Sequence, residues 1–121
     1  MAYDNNNIFA KILREEIPCK KIYEDDFVLS FYDINPQKKI HALVIPKGKY
    51  IDLDDFAINA SNDEIVGLIK GINIVAKKLN ISVDTGKGYR ALANISEHGG
   101  QEVPHLHFHL FGGERVGKMV Q

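Results

Sequence analysis

Residues 105–111 read His-Leu-His-Phe-His-Leu-Phe, and this strict alternation constrains the fold more than any other stretch. On an extended backbone successive side chains point to opposite faces. The three imidazoles therefore share one face of a strand, and Leu106, Phe108 and Leu110 share the other. An apolar set of that size needs a covering layer. The chain offers one long amphipathic segment, in which Ile65, Leu68, Ile69, Ile72, Ala76 and Leu79 recur at helical spacing. Ser61 with Glu64 three residues later is a capping box at its start. Lys77 and Lys78 stand near its end, where the helix dipole favours cations. Gly67 and Gly71 lie on a second face with Ile74. Glycine inside a helix costs about 1 kcal/mol against alanine, so close packing is expected there, against another element of the chain or against a second subunit.

Breaks in the pattern divide the rest. Asn7 is placed to cap a short helix through Ile8, Phe9, Ile12 and Leu13, ended by Ile17-Pro18. Strands are expected at 20–24, 27–34 and 41–45, separated by acidic and proline-containing turns. Residues 89–95 read as a strand, 96–100 as a loop, and 105–111 as the last strand, stopped by Gly112-Gly113. About five strands, one long helix and one or two short ones, without βαβ alternation, make an α+β fold with antiparallel pairing. A chain of 121 residues without repeat or linker is one domain, 1–121. Its core is expected at about 8–113, between a polar leader and a C-terminal tail.

Composition narrows the function. The hydrophobic share of 45% and charged share of 26% fit a packed globular domain and exclude a disordered chain or coiled coil. A net charge of -1 gives no electrostatic footprint for nucleic acid. No apolar run reaches the ~18–20 residues that cross a bilayer, and no basic stretch followed by an apolar one marks a secretory leader. The single cysteine, Cys19, cannot close an intrachain disulfide, which favours a reducing cytoplasm.

Three histidines on one face need a chemical reason, because each ionised ring disfavours the next. At a rise of about 3.3 Å per residue, neighbouring triad members stand about 6.6 Å apart and the outer pair about 13 Å. Zinc holds its nitrogen ligands at roughly 2.0–2.1 Å, so an extended strand brings at most two of the three to one ion. A His-x-His pair completed by His41 or His98 is therefore the second reading, and no metal or cofactor is assigned. The first reading is imidazole chemistry on a substrate, for which a pKa near 6.5 and two usable ring nitrogens suit histidine. Gly99-Gly100-Gln101 ahead of the triad lets backbone N–H groups approach an anion.

The segment His105 to Phe111 resembles the histidine-triad (HIT) motif, His-φ-His-φ-His-φ-φ, at every position. Phe31-Tyr32-Asp33-Ile34-Asn35-Pro36-Gln37 and His41-Ala42-Leu43-Val44-Ile45-Pro46-Lys47 resemble the family's nucleoside-binding strand pair. Gly99-Gly100-Gln101 and Gly112-Gly113 resemble the Hint branch of nucleoside phosphoramidases, and the similarity runs from about Ile8 to Gly113. The resemblance implies a homodimer whose sheet continues between protomers. It implies substrates that are purine nucleoside 5′-monophosphates joined through a phosphorus–nitrogen bond or to an acyl group. His107 would be the nucleophile, His109 would serve the leaving group, and His41 and His105 would support proton transfer. Asp33 would bind the ribose, and Phe9, Ile12, Ile17, Phe31, Ile34 and Leu43 would line the base pocket. Asn94, Gly100, Gln101, Glu102 and Val103 would lie along the phosphate approach. Glu102 departs from the serine of animal members, and residues 116–121 hold no counterpart of their C-terminal tryptophan. A dinucleoside-polyphosphate hydrolase of the same superfamily and a non-catalytic nucleotide-binding scaffold are the alternatives.

Overall fold

Local chemistry sets the helix starts. Asn7 accepts from the Ala10 N–H and opens α1, Ile8–Leu13. After the strands β1 (Lys21–Glu24), β2 (Val28–Tyr32) and β3 (Ile40–Pro46), Asp52 accepts from the Asp55 N–H and opens α2, Leu53–Asn59. Ser61 and Glu64 close the expected capping box on α3, Asn62–Lys78. The chain then runs through β4 (Arg90–Leu92), the single turn α4 (Ser96–Gly99) and β5 (Phe108–Gly112). The computed structural model describes residues 2–119, so Met1, Val120 and Gln121 of the expected leader and tail lie outside the described residues.

The five strands form one antiparallel sheet in the order β1-β2-β3-β5-β4. α3 covers one face. Leu68, Ile72 and Val75 pack there with Val28, Ala42 and Val44 of the sheet and with Leu106 and Leu110. Fully burying side chains of this size contributes about 1.5–3 kcal/mol each. The opposite face carries α1, whose Phe9 and Ile12 pack on Leu29, Phe31, Leu43 and Ile45. The alternation of residues 105–111 thus divides between two layers, with leucines toward α3 and histidines toward α1.

Several expectations need correction. α1 ends at Leu13, well before Pro18, because Glu15 turns into the left-handed region at φ 64°. β2 stops at Tyr32, so Asp33 and Ile34 sit in the following turn rather than on the strand. β4 keeps three of the seven residues expected, the 96–100 loop contains α4, and α2 was not foreseen. Ile69 points to solvent, outside the packed stripe of α3. β5 begins at Phe108, not His105. Phe108 faces Val44 in the register, which would set Leu106 opposite Pro46, a residue with no N–H for the ladder. The Leu106 N–H donates instead to Tyr50 O. Gly67 and Gly71 serve the chain itself. A Cβ on Gly67 would lie 2.5 Å from the Phe27 ring, and one on Gly71 would lie 2.8 Å from Val28.

Candidate functional site

The histidines meet where β3 and β5 pair. His109 is on β5 opposite Leu43, and His41 on β3 is opposite Phe111. His105 and His107 lie in the extended lead-in, on the same side as Phe9. That ring meets His107 edge-on at 4.9 Å between centroids, and His107 stands 5.1 Å from His109. His41, His105 and His107 are buried and His109 is partly buried.

Carbonyl oxygens only accept hydrogen bonds, so they fix where the ring protons reside. His107 Nδ1 lies 2.7 Å from the His105 carbonyl and must carry a proton. Its Nε2 is left as a free lone pair. His105 Nε2 donates to the Pro46 carbonyl at 2.9 Å, so Nδ1 accepts, at 2.6 Å, from the hydroxyl of Tyr3. His41 Nδ1 accepts from the Gln37 N–H, which places its proton on Nε2. That proton faces His109 Nδ1 at 2.9 Å, so His109 carries its own on Nε2. Burial pushes all four rings toward the neutral form these bonds require. His105 falls to about 4, and His109 falls to about 4 from burial and then from His107 and His41. His107 and His41 fall for the same first reason, opposed by the Asp33 carboxylate and, at His107, also by Glu102.

Asp33 caps its own turn, with Oδ1 accepting from the Asn35 N–H at 2.8 Å, and its Oδ2 lies 3.5 Å from His41 Nε2. Asp33, His41 and His109 offer ligand atoms all within 4.8 Å of one another, close enough to face one ion. His98, the alternative ligand by sequence, is instead exposed on α4. An ion at the cluster would have to displace the His41 Nε2 proton. The other nitrogen of that ring already accepts an amide bond, whereas metal-bound imidazoles donate from their second nitrogen. The geometry favours a proton path from His41 to His109.

The expected base-pocket residues separate. Phe9, Ile12, Phe31 and Leu43 form one buried cluster with Ile17 and Val103 at its margin, while Ile34 is 85% exposed and stands off it. The approach loop also departs from expectation. Gly100 and Gln101 donate their N–H groups back into the α4 turn. The Gln101 amide donates to Ile51 O and Val103 O and accepts from the Ser96 N–H, so it braces the loop. The N–H groups of Glu102 and Val103 have no acceptor among the described residues and are the ones free for an anion. The Asn94 side chain, between β4 and α4, is likewise unengaged among the described residues. A cleft of about 1020 Å³ between Asn80 and Lys118 includes none of the histidines in its lining.

Sequence reasoning passed over three residues at the site. Phe111 stacks on His109 and tilts against His41, as the period-two pattern required of the residue two beyond His109. Gln37 sets the His41 tautomer through its backbone. Tyr3 reaches His105 from the leader across 102 positions, with no local signal.

The HIT domain family model matches residues 14–116. The chain belongs to the HIT family. A 13.2 kDa HIT-like protein of Azospirillum brasilense is 52% identical over 118 residues, covering 98% of this chain and 94% of that one. The purine nucleoside phosphoramidase of Escherichia coli is 40% identical over 113 residues, covering 93% and 92%. Among solved structures, a HIT family hydrolase from Clostridium thermocellum superposes with a TM-score of 0.84 at 38% identity, covering 98% and 99%. The α+β fold is thus that of the HIT family. No described helix is long and apolar enough to cross a membrane.

Proposed function

We propose that this HIT protein is a nucleotide hydrolase. It cleaves purine nucleoside 5′-phosphoramidates or acyl-adenylates through a nucleotidyl-histidine on His107. The observation that carries this reading is the His107 Nδ1–H bond to the His105 carbonyl, which leaves an unprotonated Nε2 beside a ring that carries its proton on Nε2. In the first step His107 Nε2 attacks phosphorus. The phosphorus–nitrogen bond breaks, its electron pair goes to nitrogen, and that nitrogen takes the Nε2 proton of His109, which a proton taken up with the anionic substrate has charged to imidazolium and which returns to the neutral ring. In the second step water attacks phosphorus and gives one proton to His109. The bonding pair returns to His107, and the nucleoside monophosphate leaves. Covalent catalysis divides the displacement in two, and general acid help of this kind contributes about 10²–10⁴-fold.

Asp33 accepts the ribose hydroxyls, the Phe9–Leu43 cluster and Ile34 flank the base, and the Glu102 and Val103 N–H groups meet the phosphate. The phosphoramidase of Escherichia coli at 40% identity supports this substrate class. The working unit is a cytoplasmic homodimer. Among the described residues β4 is a three-residue edge strand bonded to β5 alone, which leaves its outer edge open to a second copy. The test is turnover of adenosine 5′-phosphoramidate beside diadenosine tetraphosphate, with acid-quench trapping of labelled protein. Faster cleavage of the phosphoramidate with label on His107 is the expected result. Preferential cleavage of the polyphosphate, or AMP binding without turnover of either, would overturn it.

A further inference from the structure

The lead-in that carries His105 and His107 precedes β5, so no sheet ladder holds it. Outside the ladder, the Leu106 N–H donates to Tyr50 O, and side-chain bonds complete the hold, one of them from the leader. The Tyr3 hydroxyl lies 2.6 Å from His105 Nδ1, and its ring meets the imidazole edge-on, with centroids 5.6 Å apart and planes at 72°. We propose that Tyr3 is a positioning residue for the nucleophile. Its hydroxyl donates to His105 Nδ1, fixes the orientation and tautomer of that ring, and so holds in place the backbone carbonyl that orients His107.

The steps follow from donor and acceptor accounting. His105 is fully buried, so neither ring nitrogen has water as a substitute partner. Nε2–H is committed to the Pro46 carbonyl, and the nitrogen left bare can only accept. Tyr3 supplies the donor. Without it the buried acceptor is orphaned, and an unmade bond of this kind costs more than the bond itself contributes. The ring could then turn over and present carbon where Pro46 expects a proton. The backbone of the same residue accepts the His107 Nδ1–H at 2.7 Å, so motion of His105 is passed directly to the tautomer and aim of His107. Phe9 packs edge-on against both rings and resists sideways motion, but it offers neither of them a hydrogen bond.

The kinetic part of this inference rests on the proposed function, and the spectroscopic part does not. Tyr3→Phe keeps the ring and removes only the hydroxyl. Nitrogen-15 spectra of the histidine side chains in the free protein are expected to show His105 as the single Nε2–H tautomer with a hydrogen-bonded Nδ1. In Tyr3→Phe the Nδ1 resonance should move and a second tautomer should appear, with the His107 Nδ1–H signal broadened. With adenosine 5′-phosphoramidate, kcat should fall about three- to tenfold, the worth of one neutral hydrogen bond, with KM changed less than twofold. Unchanged His105 and His107 resonances with unchanged kcat would overturn the proposal, as would an equal rise in KM with kcat intact. If the wild-type protein turns over no phosphoramidate, the functional reading fails, while the spectra still decide the role of Tyr3.

Discussion

Lowering the pH from 8 to 5 should cost this protein at least about 2 kcal/mol of stability, with histidine burial as the cause. His105 is surrounded by Tyr3, Phe9, His107 and the Pro46 carbonyl, and burial holds its pKa at about 4 against 6.5 for an exposed ring. Between those values the unfolded chain binds a proton that the folded chain refuses. Unfolding then takes up protons, and stability rises with pH and falls as pH falls below 6.5. At pH 5 the gap covers about 1.5 pH units, or about 2 kcal/mol for His105 at 1.36 kcal/mol per unit. His109, also at about 4, adds a smaller contribution of the same sign, because its ring is partly open to solvent and part of its shift comes from His107 and His41, which shift in the same direction. A loss of at least about 2 kcal/mol is a sizeable part of the 5–15 kcal/mol typical of a domain. Urea titrations at pH 8 and pH 5 should therefore differ in midpoint by about 1 M or more, for a slope near 2 kcal/mol/M. His105→Gln should be less stable at pH 8 yet lose about 2 kcal/mol less on acidification. A midpoint constant between pH 8 and 5, or an unchanged pH slope in His105→Gln, would refute the reasoning.

Other outcomes follow from the same geometry. His107→Ala should abolish turnover while AMP affinity, by calorimetry, stays within about tenfold, or roughly 1.4 kcal/mol. A strong chelator should leave kcat unchanged, because the His41 proton occupies the place an ion would need; activity lost to chelation and restored by zinc would reverse that reading. Gly71→Leu should destabilise the monomer fold by more than the 1–3 kcal/mol of ordinary overpacking, since even a Cβ there meets Val28 at 2.8 Å. Urea titration with sedimentation separates this from loss of association. Glu102→Gln should lower severalfold the kcat/KM preference for a lysyl over a neutral alkyl phosphoramidate, with the difference shrinking at high salt.

The two-layer plan was legible because it rests on periods. Alternation in residues 105–111 assigned leucines and histidines to opposite faces, and helical spacing with the Ser61–Glu64 box marked α3. Elements held by few residues were not legible. α2 buries one large side chain, Phe56, and α4 is a single turn, so neither leaves a periodic trace. Where β5 starts depends on which residue faces Pro46, a matter of register. Gly67 and Gly71 announced a close approach, and the partners turned out to be Phe27 and Val28 of the same chain. The four histidines could be listed from the motif and the strand pair, but their protons could not. Those depend on the carbonyls of Pro46 and His105, the amide of Gln37 and the hydroxyl of Tyr3, and three of these four come from outside the triad.

Neutral, buried histidines suit the proposed reaction before its ligand arrives. Charged rings packed this closely would repel one another, and burial alone would expel their protons. Here every ring except the exposed His98 has a hydrogen-bonded nitrogen on a defined side, so neutrality costs no orphaned buried polar group among the described residues. Asp33 and Glu102 already pull His107 toward the charged form against burial. A phosphate set on the free N–H groups of Glu102 and Val103 would add negative charge on the same side of the balance. In the proposed reaction, the cation that would form on His107 is therefore least favoured in the empty site and most favoured with the anion in place. The Nδ1–H bond to the His105 carbonyl strengthens as that charge develops. The same bond that leaves Nε2 bare in the resting protein would thus stabilise the ring once Nε2 had reacted, which ties the proposed nucleophile and its intermediate to one backbone carbonyl.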